Sequence, residues 1–275
     1  MKLISWNIDS LNAALTGSSK RAYLSRKVLK TIIEYDPEIF AIQETKLSPT
    51  GPTKKHLQIL KNLFPDYKVT WRSSKPPARK SYGGTMFLYK NILKPRIFYP
   101  KINAPAILDK EGRILTLELT TYFITQVYTP NADNSFKRLH NRQTWDLKYL
   151  RYLSSLDSKK PVISSGDFAV AHRKIDLAYQ KPKYPFNEFI KKERNDFTQL
   201  LKSGFCDTFR FIHGDIKGAY SWWDQRIKTS KANNFGSRPD YYLVSDRIKN
   251  KIANSKIIDS GPRADHAPIY LEINI

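Results

Sequence analysis

Short β-prone runs recur along the whole chain, at 3–6, 39–43, 85–89, 114–119, 122–128, 161–164, 241–244 and 269–273, and this recurrence constrains the fold more than any other feature. Runs of this length, rich in β-branched and aromatic residues, must pair with one another to satisfy their backbone polar groups. The runs at 114–119 and 122–128 follow so closely that they form a hairpin. Longer intervals leave room for helical crossings. Leu24, Val28, Leu29, Ile32 and Ile33 share one helical face, and the segment from Lys137 to Leu156 places Leu147, Leu150 and Leu153 at near-helical spacing. Hairpins together with crossings imply mixed sheets whose outer faces helices must cover. The expected architecture is α/β: two packed mixed β-sheets flanked by helices, a four-layer α/β/β/α sandwich. With no internal repeat, low-complexity tract or Gly/Ser/Pro-rich linker, a single domain over 1–275 is expected.

Charge narrows the class of partner. Lys and Arg number 47 against 25 Asp and Glu, a formal charge of +22. That excess points to a polyanion; the alternative is a lysine-biased composition spread over a solvated surface. Cys206 is the only cysteine, which rules out an intramolecular disulfide and suits a reducing cytoplasm. No apolar run approaches the ~20 residues needed to span a bilayer. A cytoplasmic, nucleoid-associated, monomeric protein without a membrane partner is expected.

Polar groups suited to metal or phosphate chemistry stand where the β-prone runs end. The first run leads into Asn7, the second into Gln43-Glu44, another into Tyr128-Thr129-Pro130-Asn131, and another into Gly166-Asp167; Arg238-Pro239-Asp240-Tyr241 and Asp265-His266 follow near the carboxy terminus. Each alone is more often a turn or surface residue than a functional one. Their order and repeated placement give them weight together.

In these blocks, and in Tyr82-Gly83-Gly84-Thr85 and Glu111-Gly112-Arg113, the chain resembles the exonuclease III-like branch of the endonuclease/exonuclease/phosphatase superfamily nearly from end to end. The resemblance implies phosphodiester hydrolysis with Mg²⁺ or Mn²⁺. It makes Glu44 the principal metal ligand, with Asn7 and Asp265 close to the same ion. His266 would hold the phosphate, Asp240 would orient that histidine, and Tyr128 would stand near the scissile phosphate. Asp167 would activate the attacking water or protonate the leaving group. Arg72, Lys75, Arg79 and Lys80, and Arg226, Lys228 and Lys231 around Trp222 and Trp223, resemble DNA-contacting loops of the family. Double-stranded DNA containing abasic sites, nicks or gaps is the implied ligand, held by its backbone and its shape.

Three positions depart from the family pattern. Ala169 stands where the Gly-Asp-x-Asn block has asparagine, and Ser237 and Pro239 replace apolar residues that line the pocket for a base-less sugar. Together they read as natural divergence. The sequence therefore supports a DNA-repair phosphodiesterase that incises 5′ to abasic sites and trims 3′ ends as a 3′-to-5′ exonuclease. A catalytically weakened lesion-binding paralogue is the alternative. A phospholipid or inositol phosphate phosphatase accords less well with the charge.

Overall fold

The computed structural model describes residues 1–132, 137–178 and 190–275. The amino-terminal half contains β1 (Lys2–Asn7), α1 (Leu11–Thr16), α2 (Lys20–Tyr35), β2 (Ile39–Gln43), α3 (Lys54–Leu63), β3 (Tyr67–Arg72) and β4 (Thr85–Lys90). Next come β5 (Arg96–Phe98), β6 (Ile114–Glu118), β7 (Phe123–Tyr128), α4 (Leu139–Asp157) and β8 (Val162–Asp167). The carboxy-terminal part adds α5 (Lys191–Lys202), β9 (Phe205–Asp207), α6 (Thr208–His213), β10 (Trp222–Trp223) and β11 (Gly236–Ser237). It closes with β12 (Asp240–Ser245), β13 (Ile252–Ile257), β14 (Asp265–His266) and β15 (Ile269–Ile273).

These strands build two six-stranded mixed sheets, ordered β13-β15-β1-β2-β4-β3 and β5-β6-β7-β8-β12-β9, and a small sheet β11-β10-β14. Leu3, Ile39, Ala41 and Phe87 of the first large sheet meet Leu115, Leu117, Ile124 and Ile163 of the second in one buried cluster. The outer face of the first packs on Leu11, Leu15, Val28, Leu29, Ile32 and Leu60 of α1–α3, and that of the second on Trp145, Tyr149, Leu153 and Phe197 of α4 and α5. The expected four-layer sandwich is the observed fold. The β-prone runs all fall on strands because side chains buried from both sides leave nearly continuous apolar sequence.

Helix α2 starts where the Ser19 hydroxyl accepts the Ala22 N–H at 3.1 Å and stops at Asp36 in the left-handed conformation. It buries Ala22, Ser25, Val28, Leu29 and Ile32, the expected face shifted slightly toward its small residues. The leucine spacing in α4 misleads. Its buried stripe is Arg142, Trp145, Tyr149 and Leu153, whereas Leu147 is 48% exposed. Aromatic residues and an arginine stem cover the sheet there, which a count of leucines misses.

Between α4 and α5 lies a buried ionic cluster. Arg142 holds the Asp146 carboxylate through Nε at 2.8 and 2.9 Å and stands 3.5 Å from Glu193, whose oxygens have no hydrogen-bond partner. Burial pushes Glu193 up to about 7 and Asp146 up to about 6, with Arg142 opposing both. A carboxyl raised on folding binds its proton more tightly in the folded state, so stability falls as pH rises from its ordinary range to the raised value. For Glu193 that window runs from about 4.5 to about 7. Urea unfolding of Glu193→Gln across this window is expected to show a flatter pH dependence than wild type, by on the order of 2–3 kcal/mol. Parallel curves would contradict the assignment.

Candidate active site

Strand register decides which polar ends meet. Parallel β1 and β2 place Asn7 opposite Gln43, so Glu44 leaves the first sheet beside Asn7. Parallel β7 and β8 place Tyr128 opposite Asp167, and antiparallel β12 begins with Asp240 opposite the same Asp167. The small sheet brings His266 opposite Trp222 and Asp265 opposite Trp223. Just before Asp167, a Cβ on Gly166 would lie 2.0 Å from the Val127 carbonyl oxygen, so only glycine lets the strands approach there. Glu44, Ala169 and Asp265 adopt left-handed φ values of 52°, 49° and 75°. Such strain, about 1–3 kcal/mol each, persists only where surrounding contacts enforce it.

The contacts that do so centre on Asn7. Its amide nitrogen donates to Glu44 Oε1 at 2.9 Å and to Asp167 Oδ2 at 3.0 Å, joining the two large sheets, while its carbonyl oxygen accepts the Asp9 N–H at 3.1 Å. Across from it, His266 Nδ1 donates to Asp240 at 2.9 and 3.0 Å, and Ser221 Oγ donates to the same carboxylate at 2.7 Å. His266 Nε2 stands 3.6 Å from Asp167 Oδ2. Burial works against charge on His266, but Asp240 and Asp167 overcome it and hold the ring charged well above its ordinary value. Burial raises Asp167 above the usual carboxylate range, while His266 and the Ala169 N–H, which donates at 2.8 Å, oppose the rise. Among the described residues, the ligand atoms of Asp167, Asp240 and His266 lie within 4.8 Å of one another. The trio places one histidine between two acids.

The predicted metal ligands stand in an alternating chain of charge. Glu44 Oε2 lies 2.9 Å from Lys46 Nζ, Lys46 also holds Asp9, and Arg21 bridges Asp9 at 2.5 Å and Asp265 at 2.8 Å. The other oxygen of Asp265 accepts the Trp222 indole N–H at 3.1 Å. Asn7 turns its amide nitrogen toward Glu44 and Asp167, and Asp265 pairs with Arg21 and accepts from Trp222, so Asn7 stands beside the Glu44 carboxylate and Asp265 in the same chain of charge. Carboxylate oxygens are the donor type that a hard divalent ion takes. The ammonium held by Glu44 marks a place where positive charge is already accommodated.

Supporting groups fix the neighbouring loops. Arg142 donates to the carbonyls of Phe168 at 2.8 Å, Ala169 at 3.3 Å and Pro130 at 3.1 Å, clamping the segments that follow Asp167 and Tyr128. Arg113 lies 4.6 Å from the Tyr128 ring centroid and donates to its carbonyl at 2.8 Å. Burial pushes the Tyr128 phenol well up, so it stays a protonated donor. Lys46, Asp9, Arg21, Arg142 and Ser221 escaped sequence reasoning as site residues, because a charged or polar residue beside a site block looks the same in sequence whether it faces the site or solvent.

The predicted DNA-contacting residues divide. Arg79, Lys80 and Lys228 are exposed, and so is Arg226, which pairs with Asp224 at 2.7 Å. Arg72, by contrast, spends its guanidinium on the carbonyls of Pro100, Ile114 and Asp109, and Lys231 is half-buried against Ser260 and the Arg263 carbonyl. Burial lowers Lys231 to about 8. Trp223 is buried beneath Lys231 with its indole N–H on Asn234, while Trp222 is half-buried beside Asp265. Arg72, Lys231 and Trp223 thus make their polar contacts within the chain. Ser237 and Pro239 are both buried at the entry to β12.

Two stacked mixed sheets that bring an acid-flanked histidine and a carboxylate chain to one set of strand ends define a phosphoesterase-type α/β sandwich. The chain belongs to the endonuclease/exonuclease/phosphatase family, whose profile matches residues 4–266, and within it to the exonuclease III-like branch. It is 58% identical over 275 residues to an exodeoxyribonuclease of Streptococcus pneumoniae and 37% identical over 276 residues to that of Bacillus subtilis, each covering 100% of both chains. It superposes on the crystal structure of the AP endonuclease of Leishmania major with a TM-score of 0.79 at 25% identity, covering 98% of this chain and 86% of that one.

The charge on His266 is set by Asp240. In a ring-proton NMR titration the wild-type imidazole is expected to keep its proton well above the range ordinary for histidine, and Asp240→Asn to lower the midpoint markedly. An unchanged titration would show that another group holds the proton.

Proposed function

We propose that this protein is a divalent-cation-dependent DNA phosphodiesterase of base-excision repair, which incises 5′ to abasic sites and trims 3′ ends. The observation that carries the reading is the meeting of Glu44, Asn7, Asp167, Asp240 and His266 at one set of strand ends. Full-length likeness to exodeoxyribonucleases and to an AP endonuclease supports the DNA substrate. The basic charge supports it too.

His266, held charged by Asp240, donates from Nε2 to a phosphoryl oxygen. Asp167 faces the same space with a raised proton affinity, suited to taking a proton from water or returning one to the leaving oxygen. Asn7 fixes Asp167 against Glu44, so that base and cation site keep their spacing. Tyr128, a protonated phenol, donates toward the phosphate. Glu44 is the principal ligand for Mg²⁺ or Mn²⁺, with Asp265 and Asp9 adjusting the charge around it; the bound ion neutralises phosphoryl oxygens. Exposed Arg79, Lys80, Arg226 and Lys228 hold the duplex backbone, so affinity falls steeply with salt. The chain acts as a single-domain monomer over 1–275.

Ala169 weakens the site without dismantling it. Its N–H still holds Asp167 and its carbonyl is still clamped by Arg142, but a side-chain donor is missing. Losing one transition-state donor costs about 10²–10³ in rate. On an end-labelled duplex with one abasic-site analogue, incision is expected to require Mg²⁺ or Mn²⁺, to vanish with EDTA or Glu44→Ala, and to quicken about 10–10³-fold in Ala169→Asn. Binding without incision in both wild type and Ala169→Asn would overturn the enzymatic reading.

A further inference from the structure

A cleft of about 540 Å³ opens where the edge strand β3 meets the segment that follows β5. Its lining is basic. Lys75, Lys101 and Lys110 come from separate parts of the chain, all are exposed, and among the described residues none has a carboxylate partner. The acid among them, Asp109, is already committed, its carboxylate accepting the N–H groups of Ile102 at 3.1 Å and Ala104 at 2.9 Å. Arg72 anchors the lining through its carbonyl contacts and adds fixed positive charge.

The cleft also has an aromatic wall and an unmet hydrogen-bonding group. Tyr99 lines it at 53% exposure, with its hydroxyl tied to Thr70 Oγ1 at 3.0 Å so that the ring is held at its far end; Trp71 lines it as well. Ser73, only 5% exposed, contributes a buried hydroxyl without a hydrogen-bond partner. An open aromatic face and several unpaired ammonium groups together suit a phosphate joined to a planar base.

We propose that this cleft binds one nucleotide unit, its phosphate among Lys75, Lys101 and Lys110 and its base against Tyr99. The inference rests on the reading of DNA as substrate and extends it to an unpaired strand. Arg72 at the end of β3 pairs with Thr85, and Gly84 just before it accepts the N–H of Thr45, the neighbour of Glu44. A strand leaving the Glu44 site therefore has a short path to the cleft. The nucleotide comes from either of two sources, an unpaired end of the substrate or a free nucleoside monophosphate such as the exonucleolytic product.

Binding measurements on full-length wild type, Tyr99→Ala and the Lys101→Ala/Lys110→Ala double variant distinguish them. The probes are a blunt abasic duplex, the same duplex with a single-stranded overhang, and dAMP. The expected result is that both variants bind the blunt duplex as wild type does but lose about 10-fold in affinity for the overhang duplex, dAMP, or both. For the overhang, the double variant should also show a salt slope shallower by roughly 1.4, the loss of two phosphate contacts to a single strand. Loss on the overhang assigns the cleft to the strand end, and loss on dAMP alone assigns it to free nucleotide. Wild-type affinities for both probes, or equal losses on blunt and overhang duplexes, would overturn the proposal. Failure of wild type to incise the blunt duplex would instead count against the enzymatic reading, and the dAMP titration would still decide whether the cleft takes a nucleotide.

Discussion

A single amide joins the halves of the active site. Asn7 ends a strand of one sheet, yet its side-chain nitrogen reaches Asp167 of the other at 3.0 Å while holding Glu44 at 2.9 Å. Deeper between the sheets, Gln43 donates to Gln126 at 2.9 Å and Gln126 to the Met86 carbonyl at 2.7 Å. Polar links of this kind are costly in a buried layer unless complete, and once complete they fix one relative position of the sheets. The apolar cluster between the sheets supplies most of the cohesion, but it is tolerant of small slips. The amide contacts are directional, so they convert a packed sandwich into a defined spacing between a carboxylate and a charged histidine.

Charge compensation is the second organising constraint. The site gathers Asp9, Glu44, Asp167, Asp240 and Asp265, and each is met by a cation or donor already in the chain: Lys46, Arg21, Asn7, His266, Ser221 or Trp222. Unmet, so many acids would raise one another's proton affinity and resist ionisation. Compensation from within balances these acids against the chain's own cations and donors. Arg72, Lys231, Arg238 and Arg263 are all turned inward, Arg238 onto Asp176 and Asp207, and Arg263 onto the carbonyls of Ile8 and His266.

Much of this was legible in the sequence, and the limits have physical causes. The central strands announce themselves because both faces are buried, whereas β10, β11 and β14 have two residues each and owe their existence to tertiary pairing. Asp167, Asp240 and His266 stood out through position at strand ends and through family resemblance. Arg21 did not, since an ion pair across more than two hundred residues, as between Arg21 and Asp265, leaves no local pattern, and Asp9 and Lys46 look like ordinary loop charges until the fold brings them together. Basic clusters near aromatics suggested Arg72, Lys231 and Trp223 as DNA contacts, but composition cannot tell a cation facing solvent from one capping carbonyls. The α4 stripe was only partly legible for a similar reason, because Arg142, Trp145 and Tyr149 join Leu153 on the buried face.

We propose that Glu44 anchors a divalent-cation site compensated, in the ion's absence, by Lys46. Anomalous diffraction from crystals soaked in Mn²⁺ tests it most directly. The account predicts a peak about 2.0–2.2 Å from a Glu44 carboxylate oxygen, with the Lys46 ammonium withdrawn from that carboxylate. A peak lodged elsewhere, with the Glu44–Lys46 contact intact, would contradict it.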